Sequence, residues 1–261
     1  MEWLSKLETK DVITICVSVI ALSFSIISTY ITLRQKKYET ERTLRNQLTD
    51  VFAKITALNL EFAKIPQEGA SASGLTSDMR GHLRDQQRFL VRQAKYVIDQ
   101  IPALVGPFEY LLVAGTFASI DDVYQAEQFF RKAIEHSADD EMNRGMITRG
   151  FARFLFNQGE HDSARDQYMA AIEIFSGDSD IMKEYRGDTY LRWATQEYEW
   201  SYADNAKTYF NEARLIFESK TNPIARQRSV ARLINHTNQI HSSSLPTYEK
   251  EEQSEVAAEE A

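Results

Sequence analysis

The sequence predicts an all-α fold, and three observations lead there. Glycine (10) and proline (5) are scarce in a chain of 261 residues, too few for a turn-rich β-sandwich. A run from Val12 to Leu33 carries no charged side chain. Beyond it, apolar residues recur at alternating spacings of three and four, the period of an amphipathic helix. Composition also excludes whole classes of function. Thirty Lys and Arg against 38 Asp and Glu leave a net charge of −8, the wrong balance for binding a phosphate backbone. A single cysteine, Cys16, excludes an internal disulfide framework and a cysteine-rich zinc site.

The first element is a short segment, residues 1–11, followed by a predicted transmembrane helix over residues 12–33. At about 1.5 Å per residue the run reaches roughly 33 Å, enough to cross a hydrocarbon core about 30 Å thick. A cleaved signal peptide fits poorly: Lys6 and Lys10 face three acids before the run, and no small-x-small cleavage pattern follows it. Arg34, Lys36, Lys37, Arg42 and Arg45 crowd the far side, so the positive-inside rule keeps the long C-terminal part cytoplasmic and sends the N-terminus out. The expected address is an inner or plasma membrane, crossed once. Within the span, Thr14, Ser18, Ala21, Ser25, Ser28 and Thr32 form one heptad seam. Ser18, Ala21, Ser25 and Ser28 are the candidates for close helix–helix association in lipid.

Residues 34–101 read as a juxtamembrane helical hairpin. Leu44, Leu48, Val51, Ile55, Leu58, Phe62 and Ile65 make one coiled-coil-like stripe that Pro66 ends. Gln67–Ser77 reads as a loop, and Asp78–Ile101 as a returning helix with Met79, Leu83, Leu90, Val97 and Ile101 on the matching face. The stripe is out of phase with the seam of the span, so the simpler expectation is that it packs on the returning helix.

Residues 102–220 repeat themselves. Ala152, Leu155, Gly159, Ala164, Tyr168 and Ala171 stand at helix–turn–helix spacings; Ala114, Phe117, Ala126, Phe130 and Ala133 precede them, and Ala194, Ala206, Phe210 and Ala213 follow. Alanines suit close helix crossings, with aromatics filling the gaps beside them. These segments resemble tetratricopeptide repeats, which implies three helix pairs stacked as a right-handed solenoid. Ala126, Ala164 and Ala206 are 38 and 42 residues apart, longer than the family's 34. Residues 221–240 read as a capping helix with Pro223 at its first position and Arg226, Arg228 and Arg232 unbalanced by any acid in the same helix. Residues 241–261 hold six glutamates and one lysine and read as a disordered acidic tail.

Catalytic chemistry finds little support. Gly145–Gly150 lacks the lysine and hydroxyl of a phosphate loop. The five histidines are dispersed, none at a metal-binding helical spacing, so no metal, no cofactor and no enzymatic activity are expected. The resemblance instead implies a concave face lined by the first helix of each pair. Arg149, Arg153 and Asn157 lie along it in the second unit, and Leu191, Arg192, Thr195 and Tyr198 in the third. Arginine's planar fork grips carboxylates with paired hydrogen bonds. The family's clamp for a terminal carboxylate is not reproduced, because Gly150 stands where an asparagine is needed. The bland alternative has these arginines paired with Glu160, Asp188 and Glu197. The leading expectation is a membrane-tethered adaptor presenting this face to an acidic protein or peptide, with the chain's own Glu249–Glu260 as one occupant. The other expectation is a structural homo-oligomer joined through span and hairpin.

Overall fold

The computed structural model describes residues 9–65 and 74–243, all helix and short turns. Two compact units divide the chain, Met1–Val105 and Gly106–Ala261. The expected N-terminal segment up to residue 8, part of the hairpin loop and the acidic tail from residue 244 lie outside the described residues.

Among its described residues the first unit holds two long helices, α1 (Thr9–Lys64) and α2 (Gly74–Gln100), and a 3-10 turn at Pro102–Leu104. Span and stripe form one continuous helix rather than two elements; 56 residues at about 1.5 Å each make roughly 84 Å. Its N-terminal part is long and apolar enough to cross a bilayer and has no protein cover, with Leu22, Phe24 and Ile26 all exposed. Hydroxyls in this part are satisfied locally: Ser18 Oγ donates to the Thr14 carbonyl at 2.8 Å, and Thr32 Oγ1 to that of Ser28 at 2.9 Å. Such back-bonding lowers the cost of a hydroxyl in lipid.

Farther along, Leu48, Val51, Ile55, Leu58 and Ile65 are buried against α2. α2 begins one turn earlier than its sequence suggests, and its buried stripe runs through Leu83, Gln87, Val91, Ala94, Val97 and Ile98. Met79 is exposed, contrary to expectation. The buried stripe instead includes a glutamine that hydropathy passes over: Gln87 Nε2 donates to Asn59 Oδ1 at 2.7 Å, fixing the antiparallel register.

Among its described residues the second unit is three helix pairs and a terminal helix. α3 (Pro107–Ser119) packs on α4 (Val123–Glu135), α5 (Glu141–Asn157) on α6 (His161–Ile174), and α7 (Asp180–Glu199) on α8 (Ala203–Glu218). α9 (Pro223–Ser243) packs on α8 and α7. Consecutive helices touch, and so do α3 with α5, α5 with α7, and α7 with α9.

The repeat is geometric as well as compositional. Each pair turns through one Schellman motif centred on a left-handed residue: Asp121 (φ 62°), Gly159 (φ 82°) and Ser201 (φ 66°). The next amide reaches back five residues in every case, Asp122 to Phe117 at 3.0 Å, Glu160 to Leu155 at 3.0 Å and Tyr202 to Glu197 at 2.8 Å. Translation by 38 and then 42 residues also superposes Ala114, Ala152 and Ala194, then Ala126, Ala164 and Ala206, then Ala133, Ala171 and Ala213, all buried. The five-residue connections between pairs are equal, so the added length sits in helices: α3 has 13 residues, α5 17 and α7 20.

Two glycines set how closely the later pairs close. A Cβ on Gly145 would stand 2.3 Å from the Phe175 ring, and one on Gly187 2.4 Å from Phe217. Both rings are fully buried and cannot yield cheaply. Gly145→Ala is therefore expected to destabilise the fold by about 1–3 kcal/mol through overpacking, despite alanine's better helix propensity. Gly115→Ala, which meets no atom within 4 Å, should be neutral or stabilising by up to about 1 kcal/mol. Urea denaturation of the two variants checks the contrast.

Candidate binding groove

Three helices contribute residues one turn apart to a groove of about 330 Å³. α5 brings Arg153, one turn beyond Arg149. α7 brings Asp188, Leu191, Arg192, Thr195, Gln196 and Glu199; positions 188, 192, 195 and 199 recur at helical spacing on one face. α9 adds Arg232 and His236.

Asp188 is the hub. Its Oδ2 accepts from Arg149 Nη1 at 2.7 Å and from Arg192 Nε at 3.0 Å, and its Oδ1 lies 3.8 Å from Arg232. Burial pulls the pKa of Arg149 below its usual value, against the pull of Asp188 and with the repulsion of Arg192. A pair this enclosed fixes geometry more than it adds stability. Arg149 is thereby committed to the fold, whereas Arg192 spends one nitrogen on Asp188 and keeps half of its side chain exposed. Arg153 is exposed and has no ion pair or hydrogen bond among the described residues.

Beneath the arginines lie two buried acceptor-capable groups without a hydrogen-bond partner among the described residues, Gln196 Oε1 and the Tyr168 hydroxyl. Gln196 is 6% exposed, and its Nε2 is held by Glu199 Oε2 at 2.5 Å. Burial raises the pKa of Tyr168, outweighing the opposing charges of Arg153, Arg149 and Arg192, so this phenol stays protonated. Thr195 Oγ1 meets His236 Nε2 at 2.9 Å and ties α7 to α9 across the groove wall.

The terminal helix is docked by a second carboxylate. Glu184 receives Lys220, Ser229 Oγ at 2.7 Å and Arg232 Nη2 at 2.7 Å. Burial works to raise its pKa, but Lys220, Ser229 and Arg232 together hold it below the usual carboxylate value. Asp180 accepts from the Thr221 and Asn222 amides at 2.9 and 2.8 Å, clamping the turn into α9. The acids that balance Arg232 therefore come from α7, where the sequence of α9 alone had none.

Of the residues expected on the concave face, the groove gathers Arg153, Leu191, Arg192 and Thr195, with Arg149 behind them. Asn157 and Tyr198 are not among its lining residues; they sit at the C-terminal ends of α5 and α7. Gln196, Glu199, Arg232 and His236 join the lining without a signal in the sequence of α5 or α7 alone. Of the three acids weighed as partners, Asp188 holds Arg149 and Arg192, while Glu197 holds Arg165 from α6. Ser18, Ala21, Ser25 and Ser28 are exposed on α1. Among the described residues no group of three His, Cys, Asp or Glu side chains is placed to hold a metal ion. The chain matches no protein-family model and no curated protein sequence.

Proposed function

We propose that this chain is a non-catalytic, membrane-tethered adaptor whose tetratricopeptide-like module captures an acidic protein segment in the α5–α7–α9 groove. The reading is carried by one observation: Arg153 and the outer nitrogens of Arg192 are uncommitted beside the buried, unpartnered Gln196 Oε1. Open guanidinium donors lining a groove fit a segment that brings carboxylates to them. The apolar N-terminal part of α1 supports anchoring, and the basic residues after it support a cytoplasmic module. Tethering raises the local concentration of partners at the membrane without any added contact.

The experiment is fluorescence anisotropy on the full chain in nanodiscs, comparing a labelled Glu/Asp-rich peptide with its Gln/Asn counterpart. The acidic peptide should bind at least about tenfold more tightly at low salt, with the preference shrinking as salt screens the charges. Equal binding of the two peptides would remove the acidic-segment reading.

A further inference from the structure

The first unit holds a second recess, unrelated to the groove. α1, with Gln100 and Ile101 at the end of α2, forms a shallow recess of about 510 Å³ lined on α1 by Leu33, Lys36, Lys37, Thr40, Glu41 and Leu44. Two of the cations here are uncommitted: Lys36 and the neighbouring Arg34 have no acidic partner among the described residues. Lys37 reaches Glu41 only at 3.8 Å, with 77% of its side chain exposed.

Height along α1 gives the recess its meaning. Leu33 ends the uncharged run, so it marks the border of the hydrocarbon. At about 1.5 Å per residue, Lys36 and Lys37 lie roughly 5–6 Å beyond it, and Leu44 roughly 16 Å beyond. A headgroup layer is about 5–7 Å thick on each side. The two lysines are therefore level with lipid phosphates, while Leu44 and Ile101 form a roof above them. Tyr30 and Tyr38, both exposed, flank the border where amphipathic rings prefer to sit.

We infer that this recess holds the headgroup of an anionic phospholipid, its phosphate on Lys36 and Lys37 and its acyl chain leaving over Leu33. A zwitterionic lipid brings its own cation to compete for the phosphate, and an anionic one does not. Charge complementarity thus selects the anionic class, and the floor at Leu33 selects a lipid over a soluble phosphate. The inference rests on residues 12–33 spanning a membrane.

The test is native mass spectrometry of the detergent-solubilised full chain given equimolar phosphatidylglycerol and phosphatidylcholine. Two lysines at the surface should favour retention of phosphatidylglycerol by about tenfold. Thr40→Trp, which fills the recess without altering any charge, should bring the preference close to unity, and so should Lys36→Gln with Lys37→Gln. Equal retention by the unaltered chain, or a preference surviving Thr40→Trp, would overturn the site. Excess inorganic phosphate should leave the bound lipid in place; displacement would assign the recess to a soluble phosphate instead. Alkaline extraction of membranes keeps the two readings apart. The apolar run over residues 12–33 is untouched in every variant, so all should stay in the pellet. An unaltered chain in the supernatant refutes the span, whereas one in the pellet without lipid preference refutes only the recess.

Discussion

Replacing Glu197 with alanine should destabilise the repeat unit by about 3–5 kcal/mol, the cost of stripping one partner from a buried ion pair. Translation by 38 and 42 residues puts Glu197 where the earlier pairs carry Phe117 and Leu155, and it is fully buried. A carboxylate survives there because every side of it is answered. Arg165 from α6 grips it with two hydrogen bonds of 2.8 Å, Trp193 Nε1 donates at 2.8 Å, and Asn205 from α8 at 3.3 Å. Trp193 is itself held face to face between Tyr168 at 5.4 Å and Tyr209 at 3.8 Å. Arg165→Ala should cost a comparable amount, and the double variant less than the sum, because the two changes remove the same interaction. Urea midpoints of the three variants decide it; strictly additive losses would mean that the pair is not coupled.

The same carboxylate gives stability a direction with pH. Burial works to raise the pKa of Glu197, but Arg165, Trp193 and Asn205 outweigh it, so its folded value is lowered. Its contribution is present in full above the unfolded value of about 4.3 and is lost as pH falls through the lower folded value. Glu184 on the α9 side adds in the same sense. Stability should therefore fall on acidification below about pH 4–5, and Glu197→Gln should flatten that slope while lowering the neutral plateau. An unchanged slope would contradict the assignment.

The second large effect is on binding. Arg153→Glu combined with Arg192→Gln should weaken the acidic peptide by about 10- to 100-fold, from lost donors and an added like charge. The fold should be spared, since Arg153 has no partner to lose and the exposed half of Arg192 adds little stability. Circular dichroism should show an unchanged midpoint within about 1 kcal/mol. Weakening with a collapsed midpoint would point to a structural role for these arginines instead.

Much of the fold was legible because helical periodicity is local. The uncharged run, the Leu44–Ile65 stripe and the alanines 38 and 42 residues apart each declare their element without knowledge of neighbours. The sequence carries a further local signal, glycine followed 30 residues later by phenylalanine, at Gly145 with Phe175 and Gly187 with Phe217. The site was legible only on one helix at a time. Arg153 and Arg192 follow from their positions in the repeats. Arg232 and His236 do not, because the register of α9 on α7 is fixed by Glu184, Lys220 and Ser229, a contact across 36 to 45 residues. Gln196 looked like an ordinary polar residue, and only the loss of a partner on burial gives it significance. Met79 keeps the four-residue spacing of Leu83 and Gln87 but is exposed, because in the register set by Gln87 on Asn59 helix α1 ends at Lys64 before reaching it.

Photo-crosslinking in native membranes tests the proposed capture in the groove most directly. A benzophenone amino acid at Thr195, inside the groove, is compared with one at Lys207, exposed on the outer side of α8. Capture at Thr195 of a peptide rich in Asp and Glu, abolished by Arg153→Glu and absent at Lys207, is the expected result. Equal adducts at both positions, or adducts at Thr195 indifferent to Arg153, would contradict an acidic segment held between α5, α7 and α9.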